Sequence, residues 1–239
     1  MKNNQLIVKR NEFLRFGYSL SLTEQRLLLA CISQVNSRVA LEKEQQFEVK
    51  VQEIQDIFGN ANSKQFYRDL REACKRLFNR KIVITDADGN TEELRWVWKI
   101  KYYADETKVV LNFSPDIVPY LSAITERFTQ YKLDDVRHFN CIHTLRIYEL
   151  LAEYQGLAQF KGDTGHREIE VDEIRRLLQL GSKYPTFGEF KRSVIDKAVN
   201  EINLHSNMTV SIGYRKSGRK VLAILFEFKV HKKTKQDAE

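Results

Sequence analysis

The segment FEVKVQEIQDIFG at residues 47–59 has the same plan as REIEVDEIRRLLQLG at residues 167–181. Each begins with the alternating pattern of a short strand, continues with an amphipathic helical pattern and ends at a glycine. Val51 corresponds to Val171 and Ile54 to Ile174, both at an offset of 120 residues (171 − 51). The chain is therefore predicted to contain two copies of one structural unit.

Each copy is followed by a second predicted helix and then by two apolar strands joined by a polar turn. In the first copy the helix covers residues 64–79, and the hairpin pairs residues 81–85 with residues 94–103. In the second copy the helix runs from a capping box at Thr186 to about residue 204, and the hairpin pairs residues 208–214 with residues 221–230. A helix-turn-helix followed by a hairpin is a winged helix, so we predict an α+β fold of two tandem winged-helix domains related by an internal repeat.

The boundary between the domains is expected near two prolines, Pro115 and Pro119, because proline ends helices and central strands. We expect the domains to cover residues 1–125 and 126–239, with a polar tail from about residue 231. Another capping box, at Ser21, is expected to open the first helix of the first domain.

The composition, 42% hydrophobic and 30% charged over 239 residues, is that of a soluble globular protein. The formal net charge of +7 favours a polyanionic partner, although a merely soluble basic protein would have the same charge. The three cysteines show no C-x-x-C spacing, so neither a zinc site nor a disulfide framework is expected. The chain shows no signal-peptide pattern and no apolar stretch of about 20 residues, so we expect a cytoplasmic protein without membrane contact.

The second helix of a helix-turn-helix, the recognition helix, enters the major groove, where each base pair displays a distinct pattern of donors and acceptors. Both predicted recognition helices carry basic residues that are candidates for DNA contact, with Arg192 the best aimed in the second helix and Lys191 and Lys197 at its flanks. They are Lys64, Arg68, Arg71 and Lys75 in the first copy and Lys191, Arg192 and Lys197 in the second. Arg68 aligns with Arg192 at an offset of 124 residues (192 − 68), and arginine binds guanine through two hydrogen bonds. The alternative is an ion pair with the carboxylate four residues further along each helix, Glu72 or Asp196.

The second hairpin, or wing, has basic residues that are suited to contact with DNA phosphates. They are Arg215, Lys216, Arg219 and Lys220. The first hairpin has the acidic turn residues Asp86 and Asp88 and is expected to face protein instead of DNA. Lys183, Tyr184 and Thr186, which precede the second recognition helix, are further candidates for phosphate contact, although Thr186 serves equally well as a helix cap.

No catalytic site is expected. The chain has no G-x-x-x-x-G-K-[S/T] phosphate loop, and its five histidines do not form the closely spaced pair of a metal-dependent nickase. No nucleophile and base can be assigned from the sequence. We therefore interpret the chain as a DNA-binding protein that is not an enzyme and needs no metal or cofactor.

The chain resembles the iteron-binding plasmid replication initiators, the group that includes the RepE, RepA and π-type proteins. The resemblance extends from about residue 6 to residue 230. It is strongest in LSLTEQRLLLACISQV at 20–35, FSPDIVPYLSAITERFTQYKL at 113–133 and IHTLRIYELLAEYQ at 142–155. The last two segments are the most specific, because they lie between the repeated units, where unrelated winged helices share nothing.

The resemblance implies two winged-helix domains related by a pseudo-twofold axis. It implies that monomers bind directly repeated origin DNA, open an adjacent AT-rich region with the host initiator and help to recruit the replicative helicase. It also implies that dimers, formed mainly through the first domain, repress the protein's own promoter. The principal base reader would be the recognition helix of the second domain, at residues 187–203.

Two other functions are left open by the residues themselves. A sequence-specific transcriptional repressor would use the same two domains without a role in initiation, and a lone inverted repeat at the promoter would favour it over direct repeats. A nicking enzyme for rolling-circle replication is disfavoured by the absence of a histidine pair. Cleavage of a supercoiled origin plasmid in the presence of a divalent metal would favour the nicking enzyme again.

Overall fold

The computed structural model describes residues 5–42, 44–58, 63–86, 88–105, 107–155 and 164–231, with the side chains of residues 58 and 63–65 left out. The chain forms two compact units, Met1–Arg137 and His138–Glu239. The division therefore lies after the expected boundary at residue 125. The reason is that strand β7 (Phe128–Lys132) pairs with the first strand, β1 (Leu6–Arg10), so the chain returns to the first unit before it enters the second.

The first unit contains a helix-turn-helix preceded by a helix and a strand. Its elements are α1 (Leu22–Ile32), β2 (Phe47–Lys50), α2 (Val51–Phe58) and α3 (Ser63–Asn79), followed by β3 (Lys81–Thr85), β4 (Thr91–Arg95), β5 (Val97–Tyr102) and β6 (Lys108–Phe113). The capping box that opens α1 is confirmed, since the Ser21 N–H donates to Glu24 and the Glu24 N–H donates to the Ser21 hydroxyl. The expected Gly59 stop of α2 lies outside the described residues.

The first hairpin is present at the predicted turn, but its second strand is Thr91–Arg95, and the remainder of the predicted strand at 94–103 forms a separate strand. Strand β3 pairs with β4 in a separate two-stranded sheet, whereas β5 pairs with β6, and β6 pairs with β2. In that second sheet Leu111 lies between Phe47 and Ile100 and is buried. The wing of the first unit is therefore β5–β6, and β3–β4 is an additional hairpin between the recognition helix and the wing.

The second unit has the same plan without the additional hairpin. Its elements are α4 (Thr144–Ala152), β8 (Thr164–Glu170), α5 (Val171–Leu177), α6 (Phe187–Phe190), a π-helical turn (Lys191–Ile195), α7 (Asp196–His205), β9 (Met208–Ser217) and β10 (Lys220–Val230). The sheet order is β8-β10-β9, which corresponds to β2-β6-β5 in the first unit. In both sheets the strand before the helix-turn-helix lies at one edge and the last strand lies in the middle. The internal repeat read from the sequence is thus a repeat of structure.

A buried carboxylate fixes the recognition helix of the first unit. Glu24 in α1 is fully buried, and its two oxygens accept hydrogen bonds from the Nε atoms of Arg76 at 3.2 Å and Arg80 at 3.1 Å. A buried charge is costly unless it is paired, so these two arginines hold the C-terminal part of α3 against α1. No described helix is both long and apolar enough to cross a membrane.

Candidate nucleic-acid interface

The recognition helix of the second unit, residues 187–205, contains a turn of π-helix at Lys191–Ile195. Its apolar side packs in the core, with Phe190, Val194, Ala198 and Ile202 all fully buried. A π turn adds one residue to the helical repeat, so side chains five residues apart, instead of four, come into line. Such turns are frequent at functional sites because they change where the exposed side chains are directed.

The π turn determines which cation pairs with Asp196. Lys191 Nζ lies 2.7 Å from each Asp196 oxygen, and this hydrogen bond raises the pKa of the lysine. Arg192, the predicted base reader, is exposed and is not the partner of Asp196. The structure therefore does not show the alternative interpretation, an ion pair between Arg192 and Asp196 four residues further along the helix. Lys191 forms an ion pair with Asp196, and its contact with DNA stays a prediction.

The predicted cap and phosphate residue Thr186 forms a full capping box. Its hydroxyl accepts from the Glu189 N–H at 3.2 Å, and Glu189 accepts from the Thr186 N–H at 3.1 Å. Hydrogen bonds from Thr186 lower the pKa of Glu189, and the charge of Arg192 acts in the same direction. Thr186 is therefore a helix cap, which fixes the start of the recognition helix behind Lys183 and Tyr184.

His143 lies near this interface, although the sequence did not single it out as a site residue. It precedes α4 and is only 6% exposed, and its ring meets the Tyr184 ring edge-on at 6.3 Å. Burial, together with the charges of Lys183 and Lys197, lowers the pKa of His143 to about 4. Lys183, in the turn, and Lys197, on the recognition helix, are thus both near one buried ring and form part of one positive surface.

The wing of the second unit presents three of the four predicted cations at its tip. Lys216, Arg219 and Lys220 are exposed around Gly218, whose φ of +58° forms the tight turn. Arg215 was expected at this tip but binds Glu168 at 2.5 Å and also Glu170, both on β8. Ala223 on the intervening strand is opposite both Arg215 and Glu170, and its small side chain leaves room for this contact across the sheet. Arg215 therefore anchors the wing instead of extending from it.

A groove of about 380 Å³ connects the wing with the helix-turn-helix. It is lined by Arg175 of α5, by Pro185 and Phe187 at the start of the recognition helix, and by Arg219 and Lys220 of the wing. The Phe187 ring also meets the Tyr214 ring edge-on at 5.7 Å, which ties the helix to β9. The recognition helix and the basic wing are therefore held as one surface.

The corresponding surface of the first unit is less basic. Arg68 is exposed, as predicted, whereas Lys75 pairs with Glu72 at 2.6 Å and Arg71 lies over the Tyr102 ring at 5.1 Å. The Lys75 hydrogen bond lowers the pKa of Glu72. The side chain of Lys64 lies outside the described residues.

The acidic turn of the first unit belongs to the additional hairpin and not to the wing. Asp86 accepts the N–H groups of Asp88 at 3.0 Å and Asn90 at 2.8 Å, so its carboxylate closes its own turn. At the tip of the β5–β6 wing, Asp105 accepts the Thr107 N–H at 3.1 Å. The clearest concentration of exposed basic groups around a recognition helix is therefore in the second unit. Among the described residues, no group of three or more His, Cys, Asp or Glu side chains is arranged to hold a metal ion.

Comparison with known protein families decides the class of the chain. The family model described as initiator replication protein, WH1, matches residues 6–152, and the model for initiator Rep protein, WH2, matches residues 170–228. The chain belongs to the Rep3 family of initiator replication proteins. The two predicted winged-helix domains and the predicted function as a replication initiator are thereby confirmed.

Relatives of this Rep3 chain include two initiators from Escherichia coli. A replication initiation protein is 26% identical over 93% of this chain and 69% of its own length. The PI protein is 26% identical over 92% of this chain and 81% of its own length. Among solved structures, a Pi initiator protein in complex with iteron DNA superimposes with a TM-score of 0.82 and 24% identity, covering 98% of this chain and all of that one. Domains 2 and 3 of RctB match with a TM-score of 0.50 and 10% identity, a likeness of fold alone.

Proposed function

We propose that the chain initiates replication of a plasmid by binding directly repeated duplex DNA at the origin. The observation that supports this most is the surface of the second unit, where the exposed Arg192 lies on a recognition helix that follows Lys183 and packs against a wing with three exposed cations. A duplex presents base edges in its major groove and phosphates on both sides of it. The fold of this Rep3 chain is also that of the Pi protein, which has been crystallised with iteron DNA.

The exposed cations have different roles in this proposal. Arg192 reads a base edge, because a guanidinium can donate two hydrogen bonds to guanine. Lys183, Lys197 and the wing cations bind phosphates, which gives affinity that falls with salt but no sequence information. The first unit adds contacts through Arg68 and leaves its acidic turn directed away from DNA.

The further steps are inferred from membership of the initiator family. The bound protein opens the origin together with the host initiator and recruits the replicative helicase, and as a dimer it represses its own promoter. The chain itself catalyses no reaction and acts in the cytoplasm. Repression alone would use the same DNA chemistry. It is distinguished by whether the protein supports replication of a plasmid that contains the direct repeats.

The proposal is tested by measuring binding to two labelled duplexes, one with direct repeats from the protein's own replicon and one scrambled, by fluorescence anisotropy. Arg192→Ala is expected to reduce the preference for the repeats by about 1–3 kcal/mol, with little change for scrambled DNA. Lys229→Ala removes the same charge from an exposed position near the far end of β10 and is the matched control. Equal binding of the unmodified protein to both duplexes at every salt concentration would refute sequence recognition.

A further inference from the structure

The turn between α5 and the recognition helix is held by a single side chain. Arg175 donates three hydrogen bonds to main-chain carbonyls of this turn: to Lys183 at 2.7 Å, to Tyr184 at 2.9 Å and to Gly181 at 3.3 Å. Its guanidinium also lies 5.6 Å from the centre of the buried Phe190 ring. Hydrogen bonds to a charged donor contribute more than neutral ones, so this set of contacts is a strong constraint on the turn.

The turn needs such a constraint because its backbone is strained. Gly181 has a φ of +54°, and two residues with side chains, Gln179 and Tyr184, have φ values of +51° and +55°. The left-handed region costs a residue with a Cβ roughly 1–2 kcal/mol, and it persists only where surrounding contacts impose it. Two of the three carbonyl acceptors of Arg175 belong to left-handed residues, Gly181 and Tyr184.

The contacts of Arg175 also determine where the amide groups point. In a planar trans peptide the N–H of a residue points opposite to the preceding carbonyl. The Gly181 and Lys183 carbonyls face Arg175, so the N–H groups of Ser182 and Tyr184 face away from it. In the described part of the chain these two N–H groups have no protein acceptor. The exposed side chain of Lys183 lies between them in sequence.

We propose that Arg175 is a positioning residue for DNA binding, which orders the turn so that Lys183 and the Tyr184 N–H bind one phosphate of the duplex. In this proposal Arg175 lies behind the turn and does not bind the phosphate, since three of its five N–H groups donate to carbonyls of the turn. This inference rests on the proposed function in taking duplex DNA as the ligand. It goes beyond that function by assigning the geometry of the phosphate contact to a residue outside the recognition helix.

The test is a set of salt titrations with the full chain and a duplex, comparing the slope of log affinity against log salt concentration. Each phosphate contact contributes about 0.9 to that slope, and loss of one phosphate-binding lysine lowers it by about one. Lys183→Ala, Arg175→Ala and Arg175→Lys are each expected to lower the slope by about one, because a lysine cannot replace three diverging hydrogen bonds. The double variant Arg175→Ala with Lys183→Ala is expected to lower it no further.

The matched control is Arg176→Ala, which removes the same charge from the next position of α5 and is expected to leave the slope unchanged. A direct phosphate contact by Arg175 would give a loss of about two in the double variant and a normal slope in Arg175→Lys, and it would overturn the proposal. A purely structural role would lower the melting temperature of Arg175→Ala while its slope stayed normal, and it would overturn the proposal as well.

The titrations are run on both the repeat and the scrambled duplex, because phosphate contacts do not depend on sequence. If the two duplexes bind equally, the proposed function fails, but the slopes of the Arg175 and Lys183 variants still decide the role of Arg175. If the repeats are preferred and the slopes are additive, the proposed function stands and the inference about Arg175 is wrong.

Discussion

Acidification is expected to destabilise the second unit through His143. Burial, with the nearby charges of Lys183 and Lys197, lowers the pKa of this ring from 6.5 to about 4. The unfolded chain therefore takes up a proton as the pH falls below 6.5, while the folded unit resists protonation until about pH 4. Because one pKa unit corresponds to about 1.4 kcal/mol, His143 accounts for a loss of about 3 kcal/mol across this window.

The direction of this pH dependence follows from which state, folded or unfolded, binds more protons. Between pH 4 and pH 6.5 the unfolded state holds more protons at this position than the folded state, so the free energy of unfolding rises with pH. The stability is fully present above pH 6.5 and is lost as the pH falls toward 4. Replacement by glutamine removes the titrating group. The free energy of unfolding of His143→Gln is expected to fall by about 3 kcal/mol less than that of the unmodified protein over the same pH range.

The assay is chemical denaturation of the full chain from pH 4 to pH 7, followed by far-ultraviolet circular dichroism and by tryptophan fluorescence. Both tryptophans, Trp96 and Trp98, lie in the first unit, so fluorescence reports that unit while circular dichroism reports both. The difference between the variant and the unmodified protein is expected in the circular dichroism transition alone. His166→Gln, an exposed histidine on β8, is the matched control. Parallel loss of stability in His143→Gln and the unmodified protein would refute the reasoning.

Two further outcomes are expected. Replacement of Lys216, Arg219 and Lys220 by alanine should lower the slope of log affinity against log salt concentration by about 2.7. Arg215→Ala should leave this slope unchanged, because Arg215 binds Glu168 and Glu170. Equal effects of the two changes in salt titrations would contradict this assignment. Glu24→Gln should destabilise the first unit by about 1.5–3 kcal/mol, because the buried acceptor loses the charge that strengthens its hydrogen bonds with Arg76 and Arg80. The exposed Glu42→Gln should have little effect, and denaturation followed by tryptophan fluorescence measures both.

The sequence predicted those features that depend on neighbours a few residues away. The capping boxes at Ser21 and Thr186 join residues three apart, and both are present in the structure. The repeat at Val51 and Val171 depends on local alternation and helical periodicity, and it identified the two winged helices. Exposure of Arg192 on the recognition helix also followed from periodicity. These signals are contained in short windows of sequence, so no tertiary contact is needed to read them.

Partners that are distant in sequence were decided only by the tertiary structure. Strand β2 pairs with β6, about 60 residues further along the chain, and this distant pairing places β5–β6 and not β3–β4 in the sheet of the winged helix. Arg215 has a wing position in the sequence, but the sheet places it opposite Glu170, and Ala223 is small enough to let them meet. His143 acquires its low pKa chiefly from burial, with smaller contributions from Lys183 and Lys197, and only folding creates these surroundings.

The sequence alone thus determined the two winged helices and the side of the recognition helix that faces outward. The tertiary structure decided which cations of the second unit have a partner within the protein. Lys191 is held by Asp196 through the π turn, Arg215 by Glu168 and Glu170, and Arg175 by the carbonyls of its own turn. These partners lie beyond one regular helical turn or on another strand, where periodicity carries no information.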